Sequence, residues 1–323
     1  MPEPATRETA REACHRALEE DTNLRPLSAA ARNPASLFTQ ALAAVPRMQP
    51  LRGAASELQR IRHQLEQQGL PVGGGAFERF LVVHAALGNV DRVPALPVDD
   101  RVKELFYRKF TSYAAGAPRE LLDVNSASFA SMCLVATLNR FPAGQLDWVP
   151  SGVPRSWLVR VPRRALPRLL RVVALELGGF APAFFTHLDP HRPNQGLLLE
   201  RESLRSYHRI ARSMAMQPAV KGLVTASWFH SPDTFAVSPH LAWVNDVFLQ
   251  HGGHVFPLGP VDPECGALYR SPERRQAYEN GAFTPTEALV IWPRRAMLAW
   301  AADRADLRDA PLERQRSLAG ARA

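Results

Sequence analysis

The apolar residues of this chain change their rhythm near residue 145. Before that point they recur at helical spacing: Leu58, Ile61 and Leu65 mark a helix over Ala54–Gln68, and Val102, Leu105, Phe106, Phe110 and Tyr113 share one face of another over Val102–Ala114. Helices are also predicted over Thr6–Glu20 and Leu121–Leu138, and over Phe77–Leu87 just after the chain-breaking run Gly73-Gly74-Gly75. Between Glu20 and Pro50 the sequence is rich in proline and alanine and has no period, so residues 1–50 are expected to form a mobile arm.

From Phe141-Pro-Ala-Gly144 onward, glycine, proline, tryptophan and β-branched residues punctuate the chain. Strands are predicted over Trp157–Val161, Phe184–Leu188, Lys221–Phe229 and His254–Leu258, and an apolar hairpin over Glu287–Trp292 and Ala296–Ala302. Helices fall between them over Pro167–Leu177 and Glu200–Met216. Another, capped by Ser238-Pro239, buries Leu241, Val244, Val247 and Phe248, and a last one, capped by Ser271-Pro272, runs to Asn280. The expected organisation is an arm (1–50), a helical region (51–144), an α/β domain (145–302) and an arginine-rich tail (303–323).

Composition narrows the function classes. Apolar residues make up 46% and charged residues 22% of the chain, which suits a globular protein and excludes wholesale disorder. The net charge is +8, but only Lys103, Lys109 and Lys221 are lysines, and the arginines form no run of five. That pattern reads as the usage of a GC-rich bacterial genome, and no nucleic-acid partner is expected. Cys14, Cys133 and Cys265 form no C-x-x-C pair, which argues against a disulfide framework or a zinc knuckle. No leader or apolar span is visible, so a cytoplasmic protein with no membrane partner is expected. Gly-x-Ser-x-Gly, Walker and Gly-x-Gly-x-x-Gly motifs are absent, leaving hydrolase, nucleotide triphosphatase and dinucleotide-enzyme readings without support.

Seven of the ten histidines and all six tryptophans lie beyond residue 147, which places candidate chemistry in the C-terminal half. Over residues 215–302 the predicted order strand, helix, strand, helix, strand, strand resembles the C-terminal half of the GNAT superfamily, the GCN5-related N-acetyltransferases. The segment from Ser271 through Tyr278 to Gly281-Ala-Phe283 is similar to that family's late helix, tyrosine and Gly-Phe turn. The resemblance implies a mixed-sheet acyltransferase fold behind a helical N-terminal region, with acyl-CoA or another acyl thioester as co-substrate and no metal. It also implies Tyr278 as the acid that protonates the leaving thiolate. The family's glycine-rich pyrophosphate turn is replaced by His230-Ser-Pro-Asp-Thr-Phe-Ala-Val-Ser238-Pro-His240, which contains no glycine. Donor binding is therefore expected from the helix start at Ser238 and from Arg209, Arg212 and Arg294.

Acyl transfer to a small amine or hydroxyl needs a base, and His230 and His240 are the candidates because imidazole accepts a proton near neutral pH. Two other readings stay open. One is a metal-dependent enzyme built from His187, His191, His251 and His254 with Asp189, Asp233 or Asp246. The other is a non-catalytic adaptor that docks a protein partner through its helical N-terminal half and an arginine stripe, Arg201, Arg205, Arg209 and Arg212.

Overall fold

The computed structural model describes residues 5–33, 36–48, 51–116, 121–180, 182–188, 199–261, 268 and 271–308. Among these residues seven α-helices come first: Arg7–Glu20 (α1), Leu24–Ala31 (α2), Leu37–Ala44 (α3), Leu51–Gln67 (α4), Ala76–Asn89 (α5), Asp100–Ala115 (α6) and Ala127–Ala136 (α7). A capping box between Thr6 and Thr9 starts α1, and the Asp99 side chain accepts from the Arg101 amide at the start of α6.

The described residues between 10 and 48 do not form the loose arm that their composition suggests. Cys14, Leu24, Leu27, Phe38, Ala41 and Met48 are buried in the same core as Phe77, Phe80, Phe106 and Phe110. The α2 and α3 helices have eight residues each, too short for an apolar period to show, and their stability comes from packing rather than propensity.

The second half is a six-stranded mixed sheet: Phe141–Pro142 (β1), Leu146–Ser151 (β2), Ala183–Leu188 (β3), Gly222–Ser227 (β4), His254–Pro260 (β5) and Thr286–Pro293 (β6), in the order β1-β2-β3-β4-β6-β5. Only β3 and β4 run parallel, and helix α10 (Glu200–Ala215) lies between them in the chain, as a parallel pair requires. Alternate residues serve two cores. Phe184, Leu223, Val290 and Trp292 join the large helical core, while Ala183, Val224, Leu289 and Ile291 pack with Trp157, Leu169, Val172 and Val173 on the other face. Burial on both faces explains the unbroken apolar run Ala288–Trp292.

The other helices are Trp157–Arg160 (α8), Leu166–Arg171 (α9, continued by a π turn over Val172–Glu176), Pro232–Val237 (α11), Trp243–Gln250 (α12), Pro272–Glu279 (α13) and Arg294–Ala302 (α14). Three expectations change here. Trp157–Val161 is one helical turn between two prolines rather than a strand, burying Trp157 and Val161. Ala296–Ala302 is helix rather than the second arm of a hairpin: it is rich in strong helix formers, and Met297 and Trp300, three apart, reach the core. Ser238 does not cap the helix after it. Its Oγ accepts from Arg274 Nη1 at 3.0 Å, and the capping serine is Ser231, ahead of α11.

Candidate active site

The parallel pair comes apart. β2 and β3 share six residue pairs, and so do β4 and β6, whereas β3 and β4 share only Phe184↔Leu223 and Phe185↔Val224. Beyond them the Thr225 hydroxyl donates to the Thr186 carbonyl at 3.3 Å, a side chain standing where the backbone ladder has stopped. A cavity of about 350 Å³ lies at this fork, lined by Thr186, His187 and Leu188 on one arm and Thr225–His230 on the other, with Ala127, Arg140, Leu146 and Tyr207 completing the wall. The carboxyl ends of parallel strands are the usual ligand-binding edge of an open α/β sheet.

His230 is fully buried in this wall. The Asn245 Nδ2 group donates to the His230 carbonyl at 2.8 Å, which fixes the amide so that its Oδ1 lies 2.9 Å from His230 Nδ1. An oxygen there can only accept, so Nδ1 carries the proton and Nε2 keeps its lone pair. That Nε2 is buried and has no partner within the protein. Burial lowers the His230 pKa to about 4 against the opposing effect of the Asn245 bond, so the ring is neutral at pH 7.

His187, on the facing arm, also has a buried Nε2 without a partner in the protein. Its pKa falls to about 3, first through burial and then through the Arg140 guanidinium. Arg140 is itself held by Asp147, Nε to Oδ2 at 3.0 Å, in a pair where both side chains are buried. Tyr207, from α10, also lines the cavity, and burial pushes its phenol well above the usual range. Arg274 stacks over Trp228, 4.7 Å from the ring centroid, and braces the outer side of the wall through Ser238.

The two histidines predict how stability follows pH. Their folded pKa values lie below the unfolded value of about 6.5, so the unfolded chain takes up protons that the folded chain refuses. Stability is complete above that pH and falls as the pH drops towards 4, by up to about 1.4 kcal/mol per unit for each histidine. Urea unfolding at pH 7, 6 and 5 measures the decline. His230→Gln should flatten it, and a midpoint unmoved between pH 7 and 5 would contradict neutral burial.

Of the residues the sequence offers for catalysis or donor binding, only His230 lines this cavity, and of those it offers for a metal only His187 does. His240 is exposed in the turn Pro239–Leu241, and Tyr278 is half-buried on α13. The arginines expected to face a donor serve the fold. Arg209 Nη1 donates to the Ala143 carbonyl at 2.7 Å, beside Gly144, where an added Cβ would lie 2.6 Å from it. Arg212 pairs with Asp99, and Arg294 closes the end of α10 by donating to Met214, Ala215, Gln217 and Val220 carbonyls. Arg205, also in the arginine stripe, is buried against Glu202. Of the metal candidates, His191 and Asp189 lie outside the described residues, His254 pairs with Glu176 at 2.9 Å, and Asp233 accepts from Thr286. Among the described residues no three His, Cys, Asp or Glu side chains are placed to hold a metal ion. No helix among them is long and apolar enough to cross a membrane.

A comparison with protein-family models gives no match, and one with curated proteins gives none. Among solved structures, the chain is similar to an acyltransferase mutant in complex with octanoyl-CoA, at TM-score 0.41 and 14% identity over 88% of each chain. It is also similar to an acyltransferase in complex with decanoyl-CoA and teicoplanin, at TM-score 0.42 and 14% identity over 91% of each chain.

Proposed function

We propose that the chain is a GNAT-like acyltransferase that moves an acyl group from a thioester donor to a small amine or hydroxyl acceptor within the fork between β3 and β4. The observation that carries this reading is the His230 ring, which Asn245 holds in one tautomer and whose basic nitrogen sits partnerless in the cavity wall. A base in that state takes the proton of the acceptor as its nitrogen or oxygen attacks the thioester carbonyl; the C–S bond then breaks and the thiolate leaves. Tyr207 stays a protonated phenol at neutral pH and suits the role of hydrogen-bond donor to the oxyanion. The family resemblance implies Tyr278 as the acid for the thiolate; because Tyr278 is not in the cavity wall, solvent is the alternative proton source.

A thermal-shift series with acyl-CoA thioesters of increasing chain length tests the reading. Saturating donor should stabilise the full chain by about 2.7 kcal/mol at a hundredfold excess over Kd, and adding an amine acceptor should release free thiol. No shift with any thioester, and no thiol release, would defeat it.

A further inference from the structure

The segment from Val159 to Phe180 carries four of the seven exposed large apolar side chains among the described residues, namely Val159, Leu170, Leu175 and Phe180. The reason lies in the sequence of α9 and its π turn, Leu-Pro-Arg-Leu-Leu-Arg-Val-Val-Ala-Leu-Glu, which carries apolar residues on its outer as well as its inner side. Leu169, Val172 and Val173 hold the inner side against the sheet. The outer side then presents Pro167, Leu170, Ala174 and Leu175 to solvent, with Arg168 and Arg171 among them. A surface helix normally shows a polar outer face, and one that is apolar on both sides is built to be covered twice.

Charge indicates what covers it. Arg155, Arg160, Arg163, Arg164, Arg168 and Arg171 are all exposed within residues 155–180, whose one carboxylate, Glu176, is engaged by His254. Arg160 is paired with Glu287, Arg155 lies over Phe180 and Arg168 over Phe256, while Arg163, Arg164 and Arg171 have no ion pair among the described residues. A second copy of the chain on the same face would set arginine against arginine. A phosphate backbone offers nothing to four apolar side chains. A lipid surface asks only that apolar side chains and guanidiniums share one exposed face, the first entering the acyl boundary and the second meeting anionic headgroups.

We infer that residues 155–180 form a docking face for an anionic lipid surface. This departs from the sequence expectation of no membrane partner. The inference is independent of the acyl-transfer reading, although the face lies close to the fork: Trp157 of α8 packs on Phe185, whose ring is 4.7 Å from that of His187.

The test is sedimentation of the full chain with phosphatidylcholine vesicles, alone or containing about one third phosphatidylglycerol. The chain should bind the anionic vesicles at least about tenfold more tightly, and high salt should weaken the binding. The triple variant Arg163→Gln/Arg164→Gln/Arg171→Gln should lose about tenfold, and so should Leu175→Glu, which removes no basic residue. Both should keep the wild-type circular-dichroism melt, because all four side chains are exposed. As a control for net charge, Arg16→Gln/Arg25→Gln/Arg32→Gln, at exposed positions on α1 and at α2, should bind as wild type. Equal binding to neutral vesicles, an equal loss in the control, or unchanged binding by Leu175→Glu would overturn the proposal. So would a self-associated state that the first triple variant dissolves in a chain that ignores vesicles, because the face would then belong to a second copy.

Discussion

His230→Gln is expected to lower turnover with an acyl thioester and a small amine by about 10²- to 10⁴-fold, the usual contribution of a positioned base. Glutamine keeps much of the buried volume and a polar end beside Asn245 but has no basic nitrogen, so the loss should fall on kcat more than on KM. Asn245→Ala should lose less, because the base survives while its tautomer is no longer fixed. Tyr278→Phe separates the family resemblance from the cavity. Transfer through the fork leaves the rate near wild type, since Tyr278 is not part of its wall, whereas an acid at Tyr278 would make kcat fall. Thiol release followed with a chromogenic disulfide measures all three. A His230→Gln enzyme as fast as wild type would remove the ring from the reaction.

The sequence made His230 legible, but not for the reason that now matters. Its place at the end of a predicted strand was visible, while the partner that sets its tautomer, Asn245, lies on α12, where an asparagine beside Asp246 reads as an ordinary polar position. His187 was weighed as a metal ligand because spacing along the chain is what a sequence displays. Its neighbour Arg140 is brought to it by folding. The Arg140–Asp147 pair was recoverable in principle: the two flank Phe141-Pro-Ala-Gly144, a turn that closes β1 on β2, yet the turn reads equally well as a domain boundary. The arginine stripe of α10 illustrates the opposite error. Charge at i, i+4 and i+8 normally marks a solvated face, but here Arg205 and Arg209 are buried, because α10 is the crossover helix and its polar side meets the β1–β2 turn. Longer helices and the central strands were readable from period alone; two-residue β1 and the short helices were not, because tertiary packing decides them.

Arg140→Leu is expected to cost about 3–5 kcal/mol of stability, since it leaves the Asp147 carboxylate buried without its guanidinium, and Asp147→Leu should cost a similar amount. The double variant Arg140→Leu/Asp147→Leu should recover much of either loss, because a buried ion pair and an apolar pair of similar size often differ little in stability. Urea unfolding of the four proteins gives the coupling directly. The same cycle reads the electrostatics of the fork. Arg140 opposes protonation of His187, and Asp147 stands opposite His187 in the β2–β3 register. Removing the arginine alone takes away the repelling cation and leaves the Asp147 anion opposite the ring, so the His187 pKa should rise most in Arg140→Leu. In the double variant only burial remains to lower it, and the value should lie between wild type and the single variant. Imidazole NMR titration measures that order. A His187 pKa unmoved by Arg140→Leu would mean that the guanidinium does not act on the ring, and the neutral state of that arm of the fork would rest on desolvation alone.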